Sequence, residues 1–408
     1  MTDFRRIQDA EVAGKRVLVR VDFNVPMKDG EVTDTTRLEA ALPTIDHLVE
    51  RGAKVILLAH FGRPKGQRVP EMSLEPVCQP LADLMGVELG FVDDIAGDDA
   101  ASAVAGMQDS DVLLLQNTRY EAGEEQNDPA FARALADLGD LYVNDAFSAA
   151  HRAHASTEGV AQLLPAYAGL AMQREIDHLV AALEDPERPV IALVGGAKVS
   201  TKIDLLENLV KKVDILFVGG GMANTLLFAQ GVDVGTSLCE KDLVDTAKLI
   251  LVAAEKSGCK LVLPSDVTLA KEFKPNPETR VALSHDVADD EMILDCGPQT
   301  VVDLTQAMDG AKTLIWNGPL GAFEIEPFDK STVSAARAAA DRVADGSLIA
   351  VAGGGDTVAA LNQAGCAQEF SFISTAGGAF LEWMEGKSLP GVEALRETAQ
   401  TDSETPVA

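Results

Sequence analysis

Short apolar runs alternate with stretches of helical periodicity along the whole chain. The runs are rich in Val, Leu and Ile, a pattern typical of parallel strands that are connected by crossover helices. In the first half the predicted strands are 16–21, 55–59, 112–115 and 141–143. In the second half they are 190–194, 215–218, 261–263, 313–316, 348–351 and 370–373. The pattern predicts an α/β protein with two Rossmann-like, doubly wound domains.

A single helical stretch separates the two halves. Residues 168–184 carry Ile176, Leu179 and Leu183 at helical spacing, with Pro165 before them and Pro186 after them. We interpret 168–184 as a connecting helix between a first domain (1–167) and a second domain (185–388) that face each other across a cleft. The polar, acidic tail is expected to be disordered in its last residues.

The composition narrows the possible partners. The 408 residues are 47% hydrophobic, which supports sizeable cores and argues against disorder. The formal net charge of −30 disfavours nucleic acid and anionic membranes, which select clustered Lys and Arg. A phosphorylated ligand would need local cationic islands on this acidic background.

Cysteine usage and hydropathy indicate the compartment. The five cysteines are odd in number and widely spaced without a CxxC, so neither a disulfide framework nor a zinc site is expected. The N-terminus has no apolar signal core, and no run approaches the roughly 18 apolar residues of a membrane helix. We expect a cytoplasmic protein with reduced thiols.

The ends of the first-half strands are followed by polar and cationic side chains. Ligands of open parallel sheets bind at the carboxyl ends of the strands. The residues found there are Asp22, Phe23, Asn24, His60, Phe61, Gly62, Arg63, Asn117, Arg119 and, further along, Arg152, with Arg37 in the region after the first strand. Guanidinium groups bind phosphate and carboxylate bidentately, so four arginines predict an anion site.

Simpler explanations exist for several of these residues. A single surface arginine is more often a solvated charge. His60 could be a core imidazole, although a position before Gly62 and Arg63 favours a phosphate donor. Asp22 and Asn24 could form an Asx turn or could contact a substrate hydroxyl. Arg20, inside its strand, is interpreted as an internal ion-pair partner.

The ends of the second-half strands are followed by glycine instead. Five glycine-containing turns occur, at 195–197, 219–221, 317–319, 353–357 and 376–378. Glycine lets backbone N–H groups approach phosphates, and a helix predicted over 357–364 would add its positive end. Asp356 is either an N-cap or a ligand to a bridging Mg²⁺. Lys198 and Lys202, four residues apart, are expected to face the same ligand space.

Several common enzyme motifs are missing. The sequence has no P-loop, protein-kinase motif set or GxGxxG, and no base stands beside the arginines. Phosphoryl transfer needs mostly positioning and charge stabilisation, and a carboxylate acceptor is already ionised at neutral pH. We therefore expect transfer of a phosphoryl group between a small anionic metabolite and a nucleotide, and an acyl-phosphate reaction would need no base at all. A non-catalytic, two-lobed receptor for sugar phosphates is the rival hypothesis.

Seven short strings make the sequence resemble the phosphoglycerate kinase family, of the bacterial kind. They are RVDFNVP from Arg20, HFGRPKG from His60, NDAF from Asn144 with AHRAH from Ala150, GGAKVSTK from Gly195, WNGP from Trp316 and GGGDT from Gly353. The resemblance runs from about Val12 to about Leu395 in the order and spacing of the family. It implies Mg-dependent, reversible transfer of the acyl phosphate of 1,3-bisphosphoglycerate to ADP by a monomer.

The resemblance also assigns the residues. It implies a 3-phosphoglycerate site at Asp22, Phe23, Asn24, Arg37, His60, Phe61, Gly62, Arg63, Arg119 and Arg152. It implies a nucleotide site at Lys198, Lys202, Asn317, Glu324 and Gly354, Gly355, Asp356 and Thr357, with Asp356 on Mg²⁺; Gly221 is assigned to the same site. Arg37, Lys198, Lys202, Gly355 and Gly378 are the predicted catalytic residues. The family closes its domains about the connecting helix, and residues 389–408 would return to the first domain.

Three positions depart from the family pattern. Ala59 and Gln116 stand where Ser and Glu are usual, and Ala376 replaces a third glycine. If residue 376 needed a positive φ, its methyl group would cost around 1 kcal/mol.

Overall fold

The structure is a computed structural model that describes residues 4–396. The chain divides into two compact units, one formed by residues 4–176 and 388–396 and the other by residues 177–387. The strands and helices of the first unit are β1 (Arg16–Arg20), β2 (Met27–Lys28), β3 (Glu31–Val32), α1 (Thr36–Glu50), β4 (Lys54–Leu58), α2 (Cys78–Met85), β5 (Leu89–Val92), α3 (Asp98–Gly106), β6 (Val112–Leu115), α4 (Ala122–Glu125), α5 (Pro129–Ala136), β7 (Leu141–Asn144) and β8 (Ala166–Ala168).

Helix α6 (Leu170–Leu183) contributes residues to both units. The second unit continues with β9 (Val190–Val194), α7 (Ile203–Lys212), β10 (Ile215–Val218), α8 (Gly220–Ala229), α9 (Val244–Ser257), β11 (Lys260–Val262), β12 (Asp266–Ala270), β13 (Thr279–Leu283), β14 (Met292–Cys296), α10 (Pro298–Asp309), β15 (Thr313–Asn317), α11 (Lys330–Ala344), β16 (Ile349–Gly353), α12 (Gly355–Ala364), β17 (Phe372–Ser374) and α13 (Gly378–Met384). Helix α14 (Pro390–Glu393) belongs to the first unit.

Each unit contains a parallel sheet of six strands. The strand order is β5-β6-β4-β1-β7-β8 in the first unit and β11-β10-β9-β15-β16-β17 in the second. Val17 pairs with Val55 on one side and with Leu141 on the other, all in parallel register. The predicted α/β fold with two parallel sheets is confirmed. All ten predicted strands are present, with their ends shifted by at most two residues.

The burial of the strands explains why they could be predicted. Every residue of β6 and β9 is buried, because helices cover both faces of a parallel sheet. Helix α7 instead buries Leu205, Leu206, Leu209 and Val210 on one side and places Lys211 in its last turn. The runs of buried residues therefore mark the strands, and the one-sided pattern marks the helices.

The sequence pattern missed the antiparallel and the short strands. Strands β13, β12 and β14 form a separate antiparallel sheet, and β2 and β3 form a hairpin. Strand β13 is an edge strand whose residues are mostly exposed, and its apolar run is confined to residues 281–283. The parallel edge strands β5 and β8 were missed as well.

The helix predicted over 168–184 is present as α6. Its first turn is held by the first unit, since Asp145 Oδ1 accepts hydrogen bonds from Ala171 N–H at 2.9 Å and Met172 N–H at 3.2 Å. The division between the two units falls between Ile176 and Asp177, inside the helix.

The described end of the chain lies against the first unit. Arg5 N–H donates to Leu395 O at 3.1 Å, and Gly391 N–H donates to Ala150 O at 2.8 Å. The disorder predicted for the last residues concerns positions that lie outside the described residues. No helix in residues 4–396 is long and apolar enough to cross a membrane.

Candidate active site

The candidate residues of the first unit follow four strands that are neighbours in the sheet, β6, β4, β1 and β7. All four strands are parallel, so their carboxyl ends lie at one edge. The loops after them carry Arg119, His60, Asp22 and Arg152 respectively. The sheet topology thus places at one edge residues that are separated by up to 130 positions in the chain.

Asp22 is the centre of a small hydrogen-bond cluster. Its carboxylate accepts from Arg37 Nη1 at 2.9 Å and 3.0 Å and from Ser148 Oγ at 2.6 Å. It also accepts from the backbone N–H of Asn24 at 3.1 Å, so the Asx-type turn expected as an alternative is present. The Asp22 carboxylate therefore both forms the turn and orients Arg37. Ser148 is a member of the cluster that the sequence did not indicate.

Asn24 and Asn117 hold the loop that contains residues 60–63. Asn24 Oδ1 accepts from Gly62 N–H at 2.9 Å. Asn117 binds Phe61 twice, accepting from its N–H at 3.1 Å and donating to its carbonyl oxygen at 2.7 Å. These contacts fix the loop backbone. Phe23, by contrast, is completely buried in the hydrophobic core, so it supports the loop from behind and is not presented to a ligand.

His60 is buried and still lies beside the arginines. Arg20 Nη2 donates to His60 Nδ1 at 2.9 Å. Burial, together with the charges of Arg20, Arg119 and Arg152, holds the pKa of His60 well below its ordinary value, so the ring is neutral. The interpretation of Arg20 as an ion-pair partner is wrong, because its guanidinium donates to Ser156 Oγ, to Val21 O and to His60.

Arg119 and Arg152 concentrate positive charge around this imidazole. Arg119 is 5% exposed, donates to Gly62 O at 2.8 Å and lies 3.2 Å from Glu125 Oε1. The Glu125 contact lacks hydrogen-bond geometry, since Arg119 Nε is buried without a hydrogen-bond partner among residues 4–396. Burial and the charge of Arg152 lower the pKa of Arg119 to about 10. Arg63 is exposed on the same loop as His60.

The two departures beside this site have different consequences. Ala59 is buried in the core. Gln116 accepts from Leu74 N–H at 2.9 Å and Asn117 N–H at 2.8 Å, and donates to Ser73 Oγ and Asp93 Oδ1, both at 2.9 Å. An ionised glutamate could accept from the Ser73 hydroxyl, but it could not make the contact with the Asp93 carboxylate without a proton. Gln116 therefore supports Asn117, which in turn orients the loop at Phe61.

Most glycine turns of the second unit are required by backbone packing. A Cβ atom on Gly195 would lie 1.8 Å from Pro319 O, and one on Gly318 would lie 2.2 Å from Gly195 O. A Cβ atom on Gly221 would meet Ala197 O at 2.3 Å. These glycines let the loops after β9, β10 and β15 pass close to each other. Gly355 differs, because a Cβ atom there would meet nothing within 4 Å.

Seven predicted residues of the second unit line one cavity of about 230 Å³: Lys202, Asn317, Gly354, Gly355, Asp356, Thr357 and Gly378. Lys202 Nζ donates to Gly195 O at 2.7 Å and to Asn317 O at 3.1 Å. Burial lowers the pKa of Lys202 to about 8, although the charge of Asp356 opposes this shift. Lys198 lines neither this cavity nor the larger one described below, and its side chain is exposed. The expected shared ligand space of the two lysines is not observed.

Asn317, Thr357 and Asp356 differ in their freedom to bind a ligand. Asn317 Nδ2 donates to Gly353 O at 2.8 Å, whereas its buried Oδ1 has no hydrogen-bond partner in residues 4–396. Thr357 Oγ1 is already used by Gly353 O and Gly318 N–H. Asp356 is exposed in the first turn of α12, whose N-cap is Gly354, so the N-cap alternative for Asp356 is wrong.

A second cavity, of about 540 Å³, is lined mainly by apolar side chains. Gly221 and Glu324 line it, and Asp356 lines both cavities. The sequence did not indicate Phe273, Leu294 or Asn224, which also line it. A mostly apolar cavity next to a glycine-lined polar one suits a ligand with a flat ring at one end and phosphates at the other.

The turn at residues 376–378 shows how Ala376 can stand where the family usually has glycine. Gly377 has a φ of +54°, a value that favours glycine, whereas Ala376 is not among the described non-glycine residues with positive φ. The methyl group of Ala376 is therefore free of the expected backbone strain, and it is buried. Gly378 begins α13 and lines the smaller cavity.

Metal binding can be judged from the available donors. Residues 4–396 contain no group of three or more His, Cys, Asp or Glu side chains that could hold a metal ion. Asp356 is a single exposed carboxylate at the smaller cavity. Such a site fits Mg²⁺, which is usually bound by one or two carboxylates together with substrate phosphates and water.

Comparisons with known proteins agree with this geometry. A family model described as phosphoglycerate kinase matches residues 7–387. The chain is 74% identical over 400 residues to the phosphoglycerate kinase of Maricaulis maris (strain MCS10), which covers 98% of this chain and 99% of the relative. It is 64% identical over 393 residues to that of Zymomonas mobilis, with coverages of 96% and 99%.

Solved structures give the same result. The structure of phosphoglycerate kinase from Coxiella burnetii matches with a TM-score of 0.91 at 41% identity, covering 96% of this chain and 98% of that one. The enzyme from Pyrococcus horikoshii OT3 matches with a TM-score of 0.78 at 30% identity, with the same coverages.

Proposed function

The chain belongs to the phosphoglycerate kinase family, and from this premise we propose how its two units divide the reaction. The activity is the reversible transfer of the acyl phosphate of 1,3-bisphosphoglycerate to ADP, which gives 3-phosphoglycerate and ATP in glycolysis. The non-catalytic receptor is not supported. The proposal concerns the residues, the metal ion and the movement that the reaction needs.

The first unit binds the metabolite. Arg63, Arg119 and Arg152 pair with its anionic groups, and Asn24 and the loop at residues 60–63 orient it. The support is the concentration of cationic groups around His60, of which Arg119 is almost fully desolvated. A desolvated guanidinium interacts more strongly with a phosphate than an exposed one. Arg37, held by Asp22, steadies the group in transfer.

The second unit binds the nucleotide. The single observation that carries this assignment is the cavity shared by Lys202, Asn317, Gly354, Gly355, Asp356, Thr357 and Gly378. Backbone N–H groups at the start of α12 face phosphates at a positive helix end. The larger cavity, with Gly221 and Glu324, accepts the nucleoside.

Mg²⁺ would be held by Asp356 and by the nucleotide phosphates. When bound, it neutralises phosphate charge during transfer. Without it, the exposed Asp356 carboxylate would repel the phosphates that the neighbouring N–H groups attract.

The chain's own residues act by charge and position. The acceptor carboxylate needs no base, because its pKa near 4 leaves it ionised at neutral pH. Lys202 and Arg37 stabilise the charge on the transferring phosphoryl group, and Gly378 contributes its backbone N–H. Lys198 stays a predicted member of this set, although its exposure and its absence from both cavities give it the weakest support.

The two substrates lie on different units, so transfer requires the units to approach each other about α6. We further propose a monomer that acts in the cytoplasm with reduced thiols, as is typical of this glycolytic family. A smaller radius of gyration in solution scattering with both substrates would support closure, and an unchanged radius would contradict it. Light scattering would test the monomer.

A coupled assay tests the whole proposal. ATP formation from ADP and 1,3-bisphosphoglycerate should depend on Mg²⁺ and should fall in Asp356→Asn at limiting Mg²⁺. Arg133→Ala, an exposed arginine on α5, is the matched control for the arginines, and Lys248→Ala on α9 is the control for Lys202. Site variants that match these controls would refute the assignment of the residues while leaving the family's activity untouched.

A further inference from the structure

A buried chain of four side chains runs behind the arginines of the first unit. It consists of Glu124, Ser156, Arg20 and His60, which are 0%, 0%, 1% and 6% exposed. Glu124 Oε1 accepts from Ser156 Oγ at 2.5 Å, Arg20 Nε donates to Ser156 Oγ at 2.9 Å, and Arg20 Nη2 contacts His60 Nδ1 at 2.9 Å. The proposed function uses only the last of the four residues.

The donor and acceptor capacities of these four side chains fix the position of each proton in their hydrogen bonds. Arginine has N–H donors and no acceptor, so His60 Nδ1 must be the acceptor and carry no proton. The hydroxyl of Ser156 likewise accepts from Arg20, so its single proton must point to Glu124. The neutral imidazole then carries its proton on Nε2. The tautomer follows from the contact with Arg20 alone.

We propose that Arg20 is a positioning residue that fixes His60 as the Nε2–H tautomer and directs its N–H donor to the anionic metabolite. Glu124, through Ser156, fixes Arg20. This inference rests on the proposed function only for the identity of the ligand, since the tautomer is a property of the unliganded protein.

The neighbouring charges support this arrangement. Arg20 on β1, Arg119 after β6, Arg152 after β7 and His154 all face His60 and oppose a second proton on its ring. Glu124 is the buried carboxylate nearby, and its Oε1 lies 3.8 Å from His154 Nδ1. It also accepts from the backbone N–H of Ser156 at 2.9 Å and from Thr118 Oγ1 at 3.2 Å. Glu124 thus accepts from both polar groups of Ser156 and holds this side chain in place.

Nitrogen-15 NMR of the histidine-labelled full chain tests the tautomer directly. Six histidines are present, and the signal of His60 is identified by its loss in His60→Gln. A pyrrole-type Nε2 and a pyridine-type Nδ1 at all values from pH 5.5 to 8 are expected. A protonated Nδ1, or a ring that titrates in this range, would overturn the proposal.

Variants of Arg20 test its role in positioning. In Arg20→Met, His60 should become a mixture of tautomers, and the KM for 3-phosphoglycerate should rise about tenfold, as expected for loss of an oriented donor to a charged group. Retention of the single Nε2–H tautomer in Arg20→Met would contradict the proposal. If Arg20→Met does not fold, the wild-type spectrum decides the question, because a single Nε2–H tautomer would support the proposal and a protonated Nδ1 would overturn it.

Two replacements of His60 separate this inference from the proposed function. Gln places an amide N–H near the position of Nε2, whereas Asn places its amide near Nδ1. His60→Gln should therefore keep a KM closer to that of the wild type than His60→Asn. Equal losses in the two variants would overturn the directed donor. An unchanged KM in both would instead refute the assignment of His60 to the metabolite site, whatever the tautomer.

Discussion

In the assignment proposed above, the two units would bind a phosphorylated ligand in an acidic protein by different means. The first unit presents arginines around a buried imidazole. Asp22 holds Arg37, and Arg20 contacts His60. Gln116 accepts from the N–H of Asn117, which binds the backbone of Phe61. The second unit uses backbone groups, which glycine allows to come close, and one lysine held by two carbonyl oxygens. A charged side chain carries a full charge but must be held in position by neighbouring groups. A backbone N–H group is already fixed by the fold, but a ligand can reach it only where no side chain obstructs the approach.

Lys202 is the cationic side chain that lines the smaller cavity. Lys202→Ala should remove about 2.7–4 kcal/mol of transition-state stabilisation, the loss expected for one preorganised donor. A coupled assay should therefore show kcat lowered by roughly 10²–10³-fold relative to Lys248→Ala. A kcat near the control would remove Lys202 from the mechanism and make the second site a purely backbone one.

Arg37 tests whether the first site acts in transfer or only in binding. Arg37→Ala should cost about 1.5–3 kcal/mol, the range for a hydrogen bond to a charged group, and should lower kcat. Steady-state kinetics with 3-phosphoglycerate would measure this, with Arg133→Ala as the control. A change in KM alone would assign Arg37 to uniform binding of the metabolite.

Gln116 tests the buried support of the first site. Gln116→Met should leave the N–H groups of Leu74 and Asn117 without their acceptor, at a cost of about 1–3 kcal/mol. Denaturant unfolding should show this loss, and the KM for 3-phosphoglycerate should rise because Asn117 orients Phe61. Gln79→Met, an exposed change on α2, should leave both unchanged. Equal stability of the two variants would contradict the supporting role.

The pKa of Lys202 predicts a pH dependence that is specific to the second site. Because burial lowers this pKa to about 8, the ammonium is charged below pH 8 and is lost as the pH rises through it. The kcat/KM for the nucleotide, which reports the free enzyme, should fall on the alkaline side with this pKa. Lys202→Arg should move the decline to higher pH, since guanidinium stays protonated. An identical alkaline limb in both proteins would exclude Lys202 as its cause.

A substitution at Gly355 tests whether the phosphates of the nucleotide need open space next to the backbone at this position. The position is open and its φ is not positive, so Gly355→Ala should fold with unchanged or slightly higher stability. The added methyl group should obstruct the phosphates and raise the nucleotide KM by roughly fivefold, about 1 kcal/mol. Gly106→Ala in α3, another open glycine, is the control. An unchanged nucleotide KM would show that the phosphates do not approach Gly355.

Local sequence indicated ten of the twelve strands of the two parallel sheets, because strands buried on both faces are apolar throughout and can be recognised without their neighbours. The same rule fails for β13, because Val281 and Leu283 of this strand are exposed and belong to no buried sheet. The strand-end residues could also be predicted, since parallel strands place their carboxyl ends at one edge. Ser148, Ser156 and Asn224 carry no such signal, because ordinary polar residues acquire a role only from their partners.

Residue type and position in the sequence thus defined which groups could bind the substrates, and the tertiary structure decided how each of them is used. In the sequence, Lys198 and Lys202 are equivalent candidates, yet only Lys202 lines the smaller cavity. Gly195 and Gly355 are likewise equivalent in the sequence, yet Gly195 is needed for backbone packing and Gly355 is not. Burial, proton direction and close approach depend on distances between segments that are far apart in the chain, and only the folded structure contains those distances.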